Sequence, residues 1–287
     1  MVWRILIVAS GICLLFPPLS ALAQESGPSN TVGYWKLDVH PGYTQVSFPL
    51  LPSEKTVNNV LGNQLTGGAS ASDADQIQKW NAATGQFQIC WLNSGTGQWE
   101  GAFSLISEAL SYWIYVQPDH PATQTIVICG NVVEEPVYNM GQMQPGYNAV
   151  GSVWAIPAAV SAAGLNGFQG GAYLFLSDLI LSYDALTGQY TYAWKNADGY
   201  WQGNLTQFAP MRGYWVYIPP GHAAFNWNNY PQPISVFKNR SAIPQFLPNE
   251  NRAATIPEVV IPFPSPPHPA DQPEHSRIVP PMEGGSE

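Results

Sequence analysis

The sequence predicts an all-β chain: two tandem, duplicated antiparallel β-sandwich or barrel-like modules, followed by a disordered Pro-rich tail. Three observations lead there. "WNAATGQFQICWLNSGTGQW" (Trp80 to Trp99) and "YDALTGQYTYAWKNADGYW" (Tyr183 to Trp201) read as near copies. Within them apolar and polar residues alternate with a period of two. The 287-residue chain is also rich in Trp, Tyr and Gly while only 10% of it is charged, a profile of β-modules rather than helical enzymes.

The chain begins with a short basic stretch (Met1 to Arg4), the apolar run "ILIVASGICLLF", then "PPLSALA". That is the order of a Sec-type signal peptide over 1–23, cleaved near Ala23-Gln24, with a signal anchor as the alternative. A short linker at 24–32 follows. The expected location is secreted, periplasmic or at the cell envelope. The longest later apolar stretch, "GAYLFLSDLILSYDA", is interrupted by Ser177, Asp178 and Ser182. No transmembrane segment is therefore expected in the mature chain.

The duplication runs past the opening pair. "HPGYTQVSFPL" aligns with "QPGYNAVGSVW", "NQLTGG" with "NGFQGG", and "YWIYVQPDHPA" with "YWVYIPPGHAA". A repeat of roughly 100 residues has the size of a domain. It divides the chain into β-module 1 at 33–135 and β-module 2 at 136–230. "ATGQ" and "LTGQ" read as turns in which Gly85 and Gly188 supply a positive φ. "NSGTGQW" and "NADGYW" read as hairpin connections. "KTVNNVLG" has room for one or two helical turns. From 231 to 287 the composition changes, with 13 of the 27 prolines, as in a disordered or polyproline-like spacer, docking arm or wall-threading tail.

The order Pro-Gly-Tyr-x-x-Val at Tyr43 and at Tyr147, then "VLGNQL", an aromatic strand ending in a Gly turn, and "YWIYV" or "GYWVYI" resembles the tandem β-modules of uncharacterised secreted bacterial proteins. That resemblance covers most of 33–230 and rests on structural motifs. It implies export and paired β-modules, and brings no catalytic residue. Ser111 departs from the turn glycine that the pattern keeps at Gly213.

Ten Lys and Arg against 19 Asp and Glu leave a net charge of −9. Phosphate backbones demand clustered cations, so no nucleic-acid partner is expected. Cys90 and Cys129 remain after signal removal, and both lack a counterpart in the second copy. In an oxidising compartment they are a candidate disulfide, with two buried free thiols as the alternative. No metal or other cofactor is expected, since Cys-x-x-Cys and His ligand spacings are missing.

Aromatics that recur between the copies are assigned to the fold: Trp80 with Tyr183, Trp91 with Trp194, Trp99 with Trp201, and Trp113 with Trp215. Aromatics without a matching partner are the candidate ligand contacts: Trp35, Trp154, Tyr173, Phe175 and Trp227. Trp35 aligns with Asn139, Trp154 with Leu50 and Trp227 with Thr125. His120 and His222 occupy equivalent positions and read as turn residues, because Asp119 beside the first becomes Gly221 beside the second. Asp73, Asp75, Glu100 and Glu108 are the carboxylates a glycan hydrolase would need. Asp73 with Asp75, or Asn196 with Asp198, fall short of a calcium loop.

The leading expectation is an exported, non-enzymatic protein with a structural, adhesive or interaction role, partnered by glycans or by envelope or extracellular proteins. A carbohydrate-binding protein using exposed aromatics is the alternative, and an acid-based glycan hydrolase the second.

Overall fold

Short strands joined by glycine-bearing turns build the molecule. The computed structural model describes residues 32–133 and 137–229. The signal peptide, residues 24–31 of the linker, the junction at 134–136 and the Pro-rich tail lie outside the described residues. The N-terminal half runs through β1 (Val32–Val39), β2 (Gly42–Val46), β3 (Leu50–Leu51), helix α1 (Val57–Leu61), β4 (Gln76–Asn81), β5 (Gln86–Asn93), β6 (Gln98–Gly101), β7 (Tyr112–Val116) and β8 (Gln124–Val132). The C-terminal half continues with β9 (Tyr138–Met143), β10 (Gly146–Gly151), β11 (Ala158–Ala159), β12 (Leu179–Asp184), β13 (Gln189–Lys195), β14 (Trp201–Gly203), β15 (Gln207–Phe208), β16 (Gly213–Ile218) and β17 (Phe225–Asn229). No helix among the described residues is long and apolar enough to cross a membrane.

Each half owns an antiparallel five-stranded sheet, ordered β2-β7-β4-β5-β6 in the first and β10-β16-β12-β13-β14 in the second. The two orders correspond strand for strand. Both sheets are open, with edges at β2 and β6 or β10 and β14, so neither closes into a barrel. The turns expected at Gly85 and Gly188 have φ of 65° and 68°, a region that costs glycine little. They close the β4–β5 and β12–β13 hairpins. Thr56 caps α1 by accepting from the Asn59 N–H at 3.1 Å, the usual role of a threonine before a first turn.

A sheet has two faces, and here each face has its own partner. On β7, Tyr112, Ile114 and Val116 point into a core closed by β1, β3, β8 and α1. On β16, Tyr214, Val216 and Ile218 do the same beneath β9 and β17. The alternate residues Trp113 and Trp215 join Leu179, Leu181, Trp80, Tyr183, Tyr190, Tyr192 and Trp194 in a third cluster, between the halves. The aromatic stripe of "QYTYAWK" is thus an interface between the five-stranded sheets, not the interior of one sandwich. Alternation announces two unlike faces but not what covers each.

The contacts across this interface come in matched pairs. Trp80 meets Trp215 edge to face at 5.5 Å, and Tyr183 meets Trp113 at 5.3 Å. The Ser47 N–H donates to Met211 O at 3.0 Å, and the Gly151 N–H to Ala109 O at 2.8 Å. Each pair exchanges the roles of the halves, which makes the interface approximately two-fold. Where the second half places Leu179 and Leu181, the first places buried Gln76 and Gln78. The Gln78 Nε2 donates to Gln76 Oε1 at 2.7 Å, and Gln76 Nε2 to Ala71 O at 2.6 Å.

Cys90 and Cys129 are both free thiols, so the expected disulfide is absent. Strand parity explains this. Ile126 and Ile128 of β8 face the core, which turns Cys129 outward, opposite Tyr34 of β1. Cys90 is buried on β5, where its thiol donates to Phe103 O at 2.6 Å and burial pushes its pKa up.

Candidate functional site

The most specific chemistry repeated in the two halves is a buried carboxylate joined to a histidine. Asp75 and Asp178, both fully buried, sit immediately before β4 and β12. His120 and His222 sit in the turns after β7 and β16. In each pair Nδ1 lies 2.7 Å from Oδ1. The acid that orients each histidine comes from the start of the neighbouring antiparallel strand, not from Asp119. The paired recurrence of Asp75 with Asp178 and of His120 with His222 was the available sequence signal.

Each aspartate also closes a loop. In the first half the Thr66 N–H donates to Asp75 Oδ2 at 2.8 Å, while the Asp75 N–H donates to Thr66 O at 2.9 Å. In the second the Gln169 N–H donates to Asp178 Oδ2 at 2.7 Å, and the Asp178 N–H to Gln169 O at 3.0 Å. Loops 66–75 and 169–178 therefore share one base. Both lean on the next hairpin, through the bridges Gly68–Asn93 and Gly171–Asn196. A Cβ on Gly171 would lie 2.7 Å from the Leu176 carbonyl carbon, so the repeated Gly-Gly answers a close approach of backbone.

The two clamps differ in strength. Asp75 accepts further bonds from the Gln117 N–H at 2.9 Å and Gln124 Nε2 at 2.7 Å. At the position of Gln117 the second half has Pro219, which has no N–H. At that of Gln124 it has Asn226, which is exposed. Burial raises the carboxyl pKa of Asp178 against the pull of Gln169, His222 and Lys195. Burial likewise lowers the ammonium pKa of Lys195, opposed by Asp178. The Lys195 Nζ donates to Leu165 O at 3.2 Å and lies 5.1 Å above the Trp201 ring.

The loops differ most at their tips. The first is polar and satisfied internally: Ser70 Oγ lies 2.7 Å from Ser72 Oγ and donates to Asp73 Oδ2 at 2.8 Å. The second carries Tyr173, Leu174, Phe175 and Leu176. A 3₁₀ turn at Leu174–Leu176 shapes it. The Leu176 N–H and Ser177 Oγ donate to Tyr173 O at 3.0 and 2.9 Å. Leu174 packs inward on the aromatic interface, whereas Tyr173 is 51% and Leu176 49% exposed. Tyr173 and Phe175 lie parallel, with centroids 5.6 Å apart and planes 3° apart.

Of the candidate ligand contacts, only Tyr173 and Phe175 come together at the surface. Trp154 is 4% exposed and meets Tyr138 edge to face at 6.5 Å. Leu50, its aligned partner, is equally buried, so the position is core in both halves and only the residue changed. Trp227 is fully buried, donating from Nε1 to Ala163 O at 2.7 Å. β17 alternates without a break through Trp227, the extra residue of the register shift lying on β9. Thr125 at the aligned position faces out, so the strand stands one residue out of step with the sequence alignment, which inverts the face. Trp35 is half-buried against the first core.

Among the recurring aromatics, Trp99 donates from Nε1 to Gly62 O at 2.7 Å, tying β6 to the end of α1. Trp201 packs on Phe168 at 5.4 Å, and Trp91 is half-buried on β5. Glu100 accepts from Asn93 Nδ2 at 2.9 Å and Thr96 Oγ1 at 3.2 Å, and Glu108 pairs with Lys55. Among the described residues no three His, Cys, Asp or Glu side chains are grouped to hold a metal ion. No protein-family model, curated protein or solved structure matches this chain.

Proposed function

We propose that this is an exported, non-enzymatic interaction protein of the cell envelope or extracellular space, built by duplication of one β-module. The observation that carries the reading is the common Asp–His clamp beneath two loops with different tips. A shared base with divergent tips divides labour between scaffold and recognition, since loops on a rigid sheet are where binding residues concentrate. The leader-like start of the chain supports export.

Two measurements test this. Fractionation of cells producing the chain is expected to recover it outside the cytoplasm. The purified protein is expected to co-sediment with envelope material, and to lose that attachment when residues 172–177 are replaced by Ala-Ser-Ala-Ser-Asp-Ala, the corresponding stretch of the first half. Retention in the cytoplasm, or attachment indifferent to the exchange, would overturn it.

A further inference from the structure

We infer that the 169–178 loop recognises a neutral glycan, with one pyranose ring stacked on the open face of Tyr173. This rests on the interaction role proposed above and names its ligand class. Phe175 lies parallel to the Tyr173 ring, and about half of Tyr173 stays open to solvent. The inward anchor at Leu174 and the two hydrogen bonds to the Tyr173 backbone carbonyl set the main chain from which that ring projects before any ligand arrives. A pre-formed platform avoids the ordering cost that weakens binding by mobile side chains.

The neighbouring hairpin turn completes the chemistry. It is joined to the loop by the Gly171–Asn196 bridge and by the Gly171 N–H donating to Lys195 O at 3.2 Å. It carries Tyr200, 64% exposed, and exposed Asp198. A pyranose presents axial C–H groups on its face and hydroxyls around its rim, and the two joined segments offer an exposed aromatic ring for the first and an exposed carboxylate for the second. Few exposed rings beside a polar turn suit a sugar better than a protein, which needs about 800 Å² from each partner.

Charge narrows the class. The chain carries −9, and Lys195 is engaged with Leu165 O and the Trp201 ring. Uronates, sulfated glycans and teichoic phosphates would meet net repulsion, whereas neutral hexoses and pentoses would not. The first half offers no second platform, because Ser70, Ser72 and Asp73 take the corresponding places and bond to one another. Binding is therefore one ligand per chain despite the duplication.

The test is isothermal titration of the purified protein with cellohexaose, laminarihexaose, xylohexaose and chitohexaose. At least one is expected to bind at a single site per chain. Tyr173→Ser, the residue that the first half carries at this place, is expected to weaken that binding by about tenfold or more. Its circular dichroism and thermal midpoint should stay as in the wild type, while Tyr173→Phe should keep most of the affinity. A flat response to all four sugars, two sites per chain, or affinity unchanged in Tyr173→Ser would overturn the glycan assignment. If co-sedimentation with envelope material persists alongside flat titrations, the interaction role stands and the glycan fails. If both are absent, the underlying reading fails as well.

Discussion

Ser111 and Gly213 hold equivalent places in the two halves and meet each other across the interface. A Cβ on Gly213 would fall on Ser111 Oγ, and would lie 2.8 Å from both Gln45 Cγ and Val46 O. The glycine on β16 is thus required by close approach of the halves, rather than by the turn that the repeat pattern suggested. Near an approximate two-fold axis, equivalent residues compete for one space, and only one of them can keep a side chain.

Gly213→Ala is accordingly expected to destabilise the protein by about 2–3 kcal/mol, the upper part of the range for overpacking a filled core. Adding Ser111→Gly should recover part of the loss, because Gln45 and Val46 still crowd the new methyl group. Urea denaturation of the single and double variants measures both terms. A fully additive pair would count against the contact.

Asp75→Ala is expected to cost more stability than Asp178→Ala. The first leaves donors on Thr66, Gln117, Gln124 and His120 without their acceptor, the second only those on Gln169 and His222. At roughly 1 kcal/mol or more per abandoned buried donor, a difference of about 2 kcal/mol should be readable from denaturation midpoints. Equal costs would mean that the extra donors of the first half add nothing.

The two-donor clamp also sets a pH dependence. Burial holds the Asp178 carboxyl above its ordinary 3.8, so the folded chain binds that proton more tightly than the unfolded one. The stability it contributes is complete below the unfolded value and is lost as pH rises through the folded one. In a His222→Gln background, which removes the imidazole titration, stability relative to the Asp178→Asn, His222→Gln double variant should fall as pH rises from 3.8. The opposite slope would show that the carboxylate is the favoured form.

Gln78 lies where the second half has Leu181, and its Oε1 finds no donor among the described residues. Replacing Gln76 and Gln78 together by Leu, as the second half has at Leu179 and Leu181, removes this orphan along with the Gln76 Oε1 that Gln78 Nε2 serves, and is expected to raise stability by about 1 kcal/mol. Thermal unfolding of the variant checks this, and a lower midpoint would point to a polar partner for the amide.

Thiol labelling separates the two cysteines. Cys129 faces solvent and should react with maleimide at the rate of an exposed thiol. Cys90 should react only as the chain unfolds, since it is buried with a raised pKa. Peptide mapping after a short pulse distinguishes them. Equal protection of both would imply the disulfide that strand parity rules out.

Much of the secondary structure was legible because it is decided locally. The glycine turns at Gly85 and Gly188, the β13 alternation and the short helix at Val57–Leu61 depend on neighbours a few residues away. The candidate site was legible in fragments. Tyr173 and Phe175 stood out by lacking counterparts, and the same criterion misplaced Trp154 and Trp227. A missing counterpart reports a changed residue, not an exposed one, and Trp227 stands inward on its strand where the aligned Thr125 stands outward.

By itself the sequence determined an all-β chain with corresponding aromatic strands in two halves, because turn chemistry and a period of two are properties of short segments. Only the tertiary structure decided what each face of a strand meets. Stacking two five-stranded sheets turned the aromatic stripes into an interface, set Ser111 against Gly213, and brought His120 to Asp75 and His222 to Asp178. Those pairings join residues more than forty positions apart, and no local periodicity encodes a distance that only the packed fold creates.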